Sequence, residues 1–467
     1  MNEEGQYRQG ESRRMKPYLI IPVENQVREL DAKLLVTVLA AQEGWTSVIG
    51  AKWYIHRWIG RFPPSIYIAK SLTERSMWTL RILRLVGHYV IAWDEEAVVH
   101  YPPEVYYARR VGPHVFDLID RLVAWGEDNR DLLYGHPACR RETVQVLGNP
   151  RADILRPEMR KLFQDRVDEL RREHGDFILF NTNVNHVNGY HDTMNLLYLH
   201  QGEWVRGRAS LGMPEEFARG LFHYKQAVFE GFQALIPAVA RAFPDRRIVL
   251  RPHPSENHDV WRKLLEGYAN VSVCHEGNVV PWLMACGCLI QSGCTTGVEG
   301  FLLGTRIVSF TPVEDLRYEL RLPNELGTRC RTVDEVIAAI RDPAADLDPG
   351  GARGRLVGRF IHGFDDGLAS TRLIKLLPSR SPYASLARLP LRLCGVVLAE
   401  VPTIVRHCKR LSGNPRYSVD YERQRFPRLE VSALQEQAER LRRITGAPHP
   451  VEVRRLHEDI FEVRARA

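Results

Sequence analysis

The segments Arg247-Ile-Val-Leu-Arg-Pro-His-Pro-Ser255 and Cys288-Leu-Ile-Gln-Ser-Gly-Cys-Thr-Thr-Gly-Val-Glu299 decide the fold class of this chain. In each segment, a short and continuous apolar run passes directly into small, polar or proline residues. Such a run is typical of a strand that is buried on both faces of a parallel sheet. Ligands of open parallel sheets bind beyond the carboxyl ends of the strands, so the residues that follow each run are candidate binding residues.

Similar apolar runs occur on both sides of these two segments. A first series lies at residues 17–23, 46–50, 65–69, 88–92, 121–125 and 143–147, and a second at 176–180, 247–250, 271–274, 288–290 and 306–310. Helical patterns separate most of these runs, and strands that alternate with helices predict parallel βαβ units. A chain of 467 residues is also too long for one compact core. We therefore predict an α/β fold with two Rossmann-like domains.

The C-terminal part of the chain has a different composition. Strand patterns cease after residue 342, and the segments 431–443 and 450–464 have the pattern of basic amphipathic helices. The expected domains are a disordered tail at 1–16, an N-terminal Rossmann-like domain at 17–155, a C-terminal Rossmann-like domain at 156–345 and a helical, basic extension at 346–467.

The charge of this extension has two interpretations. Residues 401–467 contain 14 Lys and Arg against 9 Asp and Glu, which accounts for most of the net charge of +7. The extension is then either a solvated helical tail or a surface that contacts anionic phospholipid headgroups. The interrupted apolar segment 386–405 is expected to form a helix that packs across domains or lies at a membrane interface.

Several classes of protein are not expected from this sequence. The first 16 residues are polar and charged, which predicts no signal peptide, and no run of about 18 apolar residues predicts a transmembrane helix. Eight scattered cysteines indicate reduced thiols and a cytoplasmic protein. Cys286, Cys288, Cys294 and His275 lack paired Cys-x-x-Cys spacing, so no metal site is expected. Neither a P-loop nor a nucleic-acid-binding motif occurs, so we expect no nucleic acid partner.

The residues after the first deciding strand are candidate phosphate ligands. Pro252 and Pro254 restrict the backbone on both sides of His253, which presents the imidazole on a stiff segment. Arg251 and His253, with Pro254 and Ser255, are then placed to bind a nucleotide phosphate. The alternative is an ordinary loop histidine between turn prolines.

The residues after the second deciding strand lead into a helix. Small residues at Ser292, Gly293, Thr295 and Thr296 allow a ligand to approach the backbone, and the positive end of a helix favours an anion. Glu299, one turn into this helix, is a candidate acceptor for ribose hydroxyls. The alternative is an ordinary helix that Thr295 or Thr296 caps.

These motifs resemble those of a known family. Arg251-Pro-His-Pro-Ser-Glu256, Pro281-Trp282 and Gly293-Cys-Thr-Thr-Gly-Val-Glu-Gly-Phe-Leu-Leu-Gly304 resemble the bacterial surface carbohydrate biosynthesis proteins. Those proteins are similar to the Kdo-transferases of capsule and lipopolysaccharide and to the sialyltransferases with a His-Pro motif. Two further segments, Glu24–Lys33 and Val146–Asp153, resemble parts of GT-B enzymes.

The resemblance covers roughly residues 17 to 340 and implies a GT-B glycosyltransferase that needs no metal or other cofactor. It implies a nucleotide-sugar donor, often CMP-linked, in the C-terminal domain, with His253 and the Thr295/Thr296 loop on its phosphate. It also implies that the N-terminal domain binds a surface-polysaccharide or lipid-linked glycan acceptor.

A transferase of this kind needs a carboxylate to remove the acceptor proton or to attack the sugar. The candidates follow the first and fourth strands and are Glu24, Asp31, Asp94 and Glu95, with Arg28 beside Asp31 as a candidate substrate ligand. The alternatives are a charge at a helix start for Glu24 and a solvated acidic turn for residues 94–96.

The segment Asn181-Thr-Asn-Val-Asn185 follows another strand and is a candidate for binding sugar hydroxyls through Asn181, Asn183 and Asn185. The alternative is a turn that asparagine favours. Residues 186–220 follow and are expected to form a flap.

The predicted function is a glycosyltransferase that moves Kdo or another nonulosonate from a CMP donor onto a surface glycan. Three alternatives remain open at this stage: a nucleotide-sugar 2-epimerase, a phosphotransferase with a CDP-glycerol type of donor, and a non-catalytic scaffold of a capsule-export complex.

Overall fold

The computed structural model describes residues 17–342, 350–411, 423 and 425–466, so the expected tail at 1–16 lies outside the described residues. The strands are β1 (Leu19–Val23), β2 (Ser47–Ala51), β3 (Ile66–Ala69), β4 (Tyr89–Ala92), β5 (Arg121–Ala124), β6 (Val144–Val146), β7 (Ile178–Asn181), β8 (Leu197–His200), β9 (Glu203–Arg206), β10 (Ile248–Arg251), β11 (Val271–Val273), β12 (Cys288–Gln291), β13 (Ile307–Phe310), β14 (Thr328–Cys330), β15 (Val451–His457) and β16 (Ile460–Ala465). The helices are α1 (Gln26–Gln42), α2 (Lys52–Trp58), α3 (Met77–Val86), α4 (Pro103–Arg110), α5 (Glu127–Tyr134), α6 (Pro150–Asp153), α7 (Gln164–His174), α8 (Glu215–Ala242), α9 (His258–Leu264), α10 (Val279–Ala285), α11 (Thr295–Leu303), α12 (Arg321–Glu325), α13 (Val333–Arg341), α14 (Ala352–Phe360), α15 (Ala369–Leu376), α16 (Leu389–Leu411) and α17 (Val431–Thr445). Parallel strands that alternate with helices, followed by helices in the C-terminal part, confirm the predicted α/β class.

The chain forms two compact units. Unit 1 contains residues 1–69, 78–91 and 371–467, and unit 2 contains residues 70–77 and 92–370. This division differs from the expected domains, because the last hundred or so residues cluster with the first strands. The expected C-terminal extension is therefore divided, with residues 350–370 in unit 2 and the residues from 371 onward in unit 1.

The sheet of unit 1 is built on a parallel centre. Its strand order is β15-β16-β2-β1-β3-β4, and β1 lies between β2 and β3 with both neighbours parallel. Leu19, Ile20 and Ile21 of β1 are fully buried, as the continuous apolar run predicts.

The prediction of a helix at 450–464 is wrong, because these residues form the hairpin of β15 and β16. The hairpin is antiparallel, and β16 continues antiparallel onto β2. Val451, Val453 and Val463 are buried while charged residues alternate with them, which is a period of two and not of 3.6. The many arginines of this segment made it resemble a basic helix. Gly50 allows the hairpin to approach, since a Cβ there would overlap the carbonyl oxygen of Asp459.

Unit 2 contains a six-stranded parallel sheet in the order β11-β10-β7-β12-β13-β14. The 28-residue helix α8 packs its apolar face into the core of this unit, together with Phe180, Ile290 and Phe310 from the sheet. The prediction missed β14 and the hairpin of β8 and β9, which lies inside the expected flap at 186–220. Strands β5 and β6 form a parallel pair in the same unit.

A buried ion pair fixes the start of α1 in unit 1. The ammonium of Lys33 donates to Glu29 and to the carbonyl of Pro22, both at 2.7 Å, and both charged side chains are only 4% exposed. The Glu29 carboxylate also accepts the backbone N–H of Glu24 at 3.0 Å and of Asn25 at 3.4 Å. The pair therefore holds the backbone that carries the candidate residue Glu24.

Replacing one partner of this pair should destabilise the protein more than replacing both. We expect Lys33→Met to lower the free energy of unfolding by about 3–5 kcal/mol, because it leaves a buried carboxylate without its cation. The double variant Glu29→Leu/Lys33→Met should recover much of this loss. Urea unfolding of the three proteins measures both effects, and equal losses in the single and double variants would contradict the assignment.

Candidate functional site

The carboxyl edge of the unit 2 sheet brings three loops side by side. Strand β7 lies between β10 and β12, and Asn181 at its end is paired in register with Arg251 on one side and Gln291 on the other. Two strand spacings separate the ends of β10 and β12, which is roughly 10 Å. The His-Pro loop and the loop before α11 therefore flank the Asn181–Asn185 loop, which the sequence had not placed between them.

The buried carboxylate of Glu256 ties two of these loops together. It accepts hydrogen bonds from the Thr182 hydroxyl at 2.9 and 3.1 Å, from the Val184 N–H at 3.0 Å and from the Trp261 indole at 2.9 Å. It also accepts the backbone N–H of His253 at 3.2 Å. Burial raises the pKa of Glu256, although these hydrogen bonds oppose the change. Glu256 thus fixes His253 relative to the β7 loop.

The imidazole of His253 is half-buried and oriented by its own loop. Its Nδ1 lies 3.2 Å from the backbone N of Ser255 and 3.0 Å from the Ser255 hydroxyl. A ring nitrogen that accepts a backbone N–H carries no proton, so a neutral His253 is protonated on Nε2. His253 is then a hydrogen-bond donor through Nε2, as a phosphate ligand must be.

Arg251 has a different role from the expected one. Its guanidinium donates to the carbonyl oxygens of Glu276 at 2.8 Å and Gly277 at 3.2 Å, and it lies 4.8 Å from the centre of the Trp282 ring. The side chain is 5% exposed, and burial lowers its pKa. These contacts make Arg251 a positioning residue that holds the neighbouring loop.

The loop before α11 is shaped by buried amides. Gly293 adopts a φ of 56°, which glycine favours, and its N–H donates to Asn324 at 2.7 Å. The Cys294 N–H donates to the side chain of Gln291 at 2.9 Å, and Asn183 donates to the Gly293 carbonyl at 3.1 Å. No side chain caps α11, which begins at Thr295, so the expected alternative of a threonine cap is not what the structure has.

Glu299 pairs with Arg151, a residue that the sequence had not singled out. Their side chains form an ion pair in unit 2 and are 13% and 15% exposed. Both residues line a cavity of about 30 Å³ with Thr295 and Glu95. That volume matches about one water molecule, so a nucleotide at the Thr295 end of α11 must lie outside it. The cavity does bring one candidate carboxylate, Glu95, to the start of α11.

Asp94 serves a structural purpose. Its carboxylate forms an ion pair with Arg110 and accepts the hydroxyl of Tyr106 at 3.0 Å, and its carbonyl accepts the Trp125 indole at 2.9 Å. The residue is 3% exposed. Of the two acidic candidates after β4, Glu95 is the one that lines a cavity.

The other two carboxylate candidates lie in unit 1. Glu24 lines a larger cavity at the ends of β1 and β2, where it forms ion pairs with Lys52 at 3.0 Å and Arg425 at 2.7 Å. Asp31 accepts a hydrogen bond from Gln437 of α17, and Arg28 is exposed on α1. Asp31 and Arg28 do not line this cavity.

Three buried polar atoms at the unit 2 edge have no hydrogen bond among the described residues. They are Oδ1 of Asn181, Nδ1 of His186 and Oγ1 of Thr296, and Asn181 is only 4% exposed. Buried polar atoms normally have a partner, so such atoms at the end of a central strand indicate a bound ligand or water. Asn185 is half-buried in the same loop, and Pro254 and Ser292 lie in the two flanking loops.

Lys225 of α8 is the residue that sequence reasoning missed. Its ammonium is buried beneath the Asn181–Asn185 loop and donates to the Asn183 carbonyl at 3.3 Å. Burial lowers its pKa to about 8, whereas the charges of Cys294 and Glu256 oppose this. Burial, and after it the charges of Lys225, Arg109 and His253, hold the pKa of His186 well below its usual range. A cation thus lies beneath the loop that separates the two predicted phosphate-binding loops, the His-Pro loop and the loop before α11. The sequence shows Lys225 only as a lysine on the apolar face of a helix, so it did not indicate this role.

The arrangement suits the binding of an anion. A protonatable lysine, the His253 imidazole and the uncapped start of α11 surround one loop whose asparagines offer both donors and acceptors. Within the described parts of the chain, no group of three or more His, Cys, Asp or Glu side chains could hold a metal ion.

No protein-family model and no curated protein sequence matches the chain. Solved structures that it resembles include UDP-GlcNAc 2-epimerase from Neisseria meningitidis bound to UDP-GlcNAc (13% identity, TM-score 0.47, covering 77% of this chain and 99% of that one). They also include Anabaena HepE in complex with UDP and glucose (11%, 0.42, 77% and 98%) and the wall teichoic acid polymerase TagF soaked with CDPG (11%, 0.48, 77% and 87%). Likeness at this level assigns the chain to no family.

The pH dependence of stability should report the burial of Lys225. Its pKa is about 8 in the folded protein and 10.5 when unfolded, so the unfolded chain binds more protons between these values. Stability should therefore rise with pH across this window, by about 3 kcal/mol relative to Lys225→Met. Below pH 8 the charged ammonium destabilises the fold, so Lys225→Met should be the more stable protein there.

Unfolding free energies of wild type and Lys225→Met from pH 7 to pH 10 test this expectation. Lys263→Met removes an exposed lysine from the same unit and is the matched control. A difference between wild type and Lys225→Met that stays constant with pH would show that Lys225 is not buried as a cation.

Proposed function

We propose that the chain is a glycosyltransferase that uses a nucleotide-sugar donor and that the donor phosphate binds at the carboxyl edge of the unit 2 sheet. The observation that carries this proposal is the buried ammonium of Lys225 under the Asn181–Asn185 loop, between His253 and the start of α11. Three sources of positive potential then lie on neighbouring elements at one end of an open parallel sheet.

The chemistry follows from these charges. As the bond between the sugar carbon and the phosphate oxygen breaks, negative charge grows on the nucleotide phosphate. Lys225, His253 through Nε2 and the first N–H groups of α11 stabilise that charge, which lowers the barrier without a metal. Preorganisation by Glu256 matters here because the donors need no rearrangement as the charge appears.

The sugar would be placed by the asparagines of the central loop. The unpartnered Oδ1 of Asn181 is an acceptor for a ligand hydroxyl, whereas the Asn183 amide is engaged with Gly293. Of the four carboxylates predicted as catalytic candidates, Glu24 in unit 1 and Glu95 beside Thr295 are the two that line cavities, and either one would accept the proton of the acceptor hydroxyl. A nonulosonate donor with CMP is the donor we propose, with a surface glycan as acceptor.

Nucleotides should stabilise the protein through this site. We expect CMP at about 100 times its dissociation constant to add about 2.7 kcal/mol to the free energy of unfolding, measured as a thermal shift. His253→Ala, Thr296→Ala and Lys225→Met should each remove most of this stabilisation. His223→Ala, an exposed histidine of α8, is the control and should retain it.

The nucleotide that stabilises the protein discriminates among functions. A response to CMP with turnover of CMP-sugars, followed by NMR, supports the transferase. A response to CDP alone favours a phosphotransferase, and a response to UDP with turnover in the absence of acceptor favours an epimerase. A protein that none of CMP, CDP, UDP and GDP stabilises would leave only the non-catalytic scaffold.

We also propose that α16 of unit 1 lies on the surface of an anionic membrane. Its residues Leu393, Val397, Val401, Ile404 and Leu411 recur at helical spacing on one face, and four of them are 60–75% exposed. The opposite face, at Gly395 and Ala399, packs against unit 1.

The charge of α16 indicates the kind of partner. Residues 386–411 contain five Lys and Arg against one Glu, and three of these cations lie in the last turn and a half. An amphipathic helix with a basic flank binds in the plane of an anionic membrane through two interactions. Its apolar side chains are buried among the lipids, and its basic side chains attract the anionic headgroups. No helix in the described ranges is long and apolar enough to cross a bilayer.

Flotation with vesicles tests the membrane proposal. Leu393→Gln/Ile404→Gln should reduce binding to vesicles that contain phosphatidylglycerol by about tenfold or more, since each buried leucine or isoleucine side chain contributes about 1.5–3 kcal/mol. Leu199→Gln/Leu211→Gln alters two similarly exposed residues of unit 2 and should bind like wild type. Equal binding by all three proteins would contradict the membrane proposal. Self-association that only the first variant loses would show that a second copy of the chain covers this face.

A further inference from the structure

Helix α4 places a further cation near the loop that carries His186. Val105 of α4 is buried in the same apolar core as Val184 and Leu196, which precede and follow His186 in the chain. The carbonyl of His186 accepts the N–H of Leu196 at 2.7 Å, which holds this loop against the core. Arg109 lies four residues after Val105 and therefore on the same face of α4. The Arg109 side chain is thus on the side of α4 that faces the loop.

Two further observations support this position of Arg109. The loop after β9 approaches α4 so closely that a Cβ on Gly212 would lie 3.2 Å from the Cγ of Arg109. The pKa of His186 is lowered by burial, then by the charge of Lys225 and then by that of Arg109. Lys225 of α8 and Arg109 of α4 therefore act on the same histidine from two helices of unit 2.

The half-buried guanidinium of Arg109 has no carboxylate partner among the residues that the structure describes. Burial lowers its pKa, the charge of Tyr101 opposes this, and the charge of Arg110 adds to it. Arg110 itself differs, because it forms an ion pair with Asp94. Charged groups inside proteins are normally paired, so a guanidinium in the situation of Arg109 gains from an anionic ligand.

The described residues on either side of 343–349 lie at the opposite edge of the unit 2 sheet. Arg341 lies 5.6 Å from the ring of Phe243, which follows α8, and Arg353 donates to the carbonyl of Gly327 at 3.2 Å, just before β14. Phe243 comes 18 residues after Lys225, which is about 27 Å along a helix. The cations near His186 are therefore remote from that edge.

Two buried polar atoms near Arg109 have no hydrogen bond within the described ranges. They are the hydroxyl oxygen of Tyr101 and Nδ1 of His186. The ring of Tyr101 lies 5.8 Å from that of Phe217 on α8, about two turns before Lys225. Burial raises the pKa of Tyr101 to about 12, although the charge of Arg109 opposes this, so the hydroxyl keeps its proton and can donate it in a hydrogen bond. Arg109 and Tyr101 therefore offer donors to one acceptor group.

We infer that the donor carries a second anionic group and that Arg109 and Tyr101 bind this group, apart from the phosphate at His253 and the start of α11. The inference rests on the proposed transferase function and names the residues that select its donor. A guanidinium forms two parallel hydrogen bonds with a carboxylate or with a phosphate. The second anion is therefore the carboxylate of an acidic sugar or the second phosphate of a nucleoside diphosphate. We expect the carboxylate, because the proposed donor is a CMP-linked nonulosonate.

Calorimetric titrations with CMP, CDP and CMP-N-acetylneuraminate test the inference, because CMP carries one anionic group and the other two ligands carry two. Arg109→Gln should weaken the binding of CMP-N-acetylneuraminate about tenfold, since it removes charge-assisted hydrogen bonds, and that of CMP less than about twofold. Tyr101→Phe changes no charge and should weaken CMP-N-acetylneuraminate about threefold without affecting CMP. Arg219→Gln removes an exposed arginine of α8 and is the matched control. Retained binding of CMP also shows that each variant is folded.

A loss that is confined to ligands with two anionic groups is the signature of this site. A loss with CMP-N-acetylneuraminate alone assigns the carboxylate, a loss with CDP alone assigns the second phosphate, and a loss with both supports a site that accepts either group. Equal effects of Arg109→Gln on all three ligands, or equal effects of Arg109→Gln and Arg219→Gln, would overturn the inference and leave the phosphate site intact. A wild-type protein that binds none of the ligands would instead refute the proposed donor site. His253→Ala reports that site separately, because it should weaken all three ligands about equally.

Discussion

The burial of one carboxylate, that of Glu256, constrains the candidate donor site. A charged group can remain in the interior only if its oxygens receive hydrogen bonds, and here the donors come from the end of β7, from the His-Pro loop and from α9. Any displacement of one loop against another would leave part of that carboxylate unpaired. The cost of that loss keeps His253 and the Asn181–Asn185 loop in a fixed relation, which a preorganised site requires.

The charges of unit 2 fall into two groups with different consequences. Arg251, Asp94 and Glu299 have their charges matched by carbonyls or by partners of opposite sign, so they hold the fold and offer little to a ligand. The Lys225 ammonium donates to a neutral carbonyl, that of Asn183, and burial destabilises its charged form. A buried cation such as Lys225 gains most from an incoming anion, because the interaction with the anion replaces the hydration that burial removed.

The sequence predicted the parallel strands well for a physical reason. A strand covered on both faces must be apolar along its whole length, and this pattern is visible without knowledge of its neighbours. The residues at the strand ends could therefore be assigned to one edge of a sheet. The order of the strands could not be predicted from the sequence. The position of β7 between β10 and β12 is known only from the pairing of Asn181 with Arg251 and Gln291.

Other parts of the candidate sites depend on contacts between distant residues. The ion pair of Glu24 and Arg425 joins residues 401 positions apart, and neither residue has a local pattern that indicates it. Lys225 looks like a residue of an ordinary amphipathic helix until its burial is known. The hairpin of β15 and β16 alternates charged and apolar residues, and its arginines were mistaken for those of a basic helix.

In unit 1, the two faces of α16 differ in the size of their side chains. Gly395 lies against Leu85 and Val86, and Ala399 is 3% exposed, so small residues allow this face to pack closely. Val397 and Ile404 on the other face are 70% and 60% exposed. A helix that is held to its unit by small residues on one face keeps its large apolar side chains outward, which is the arrangement that an in-plane contact with a membrane requires.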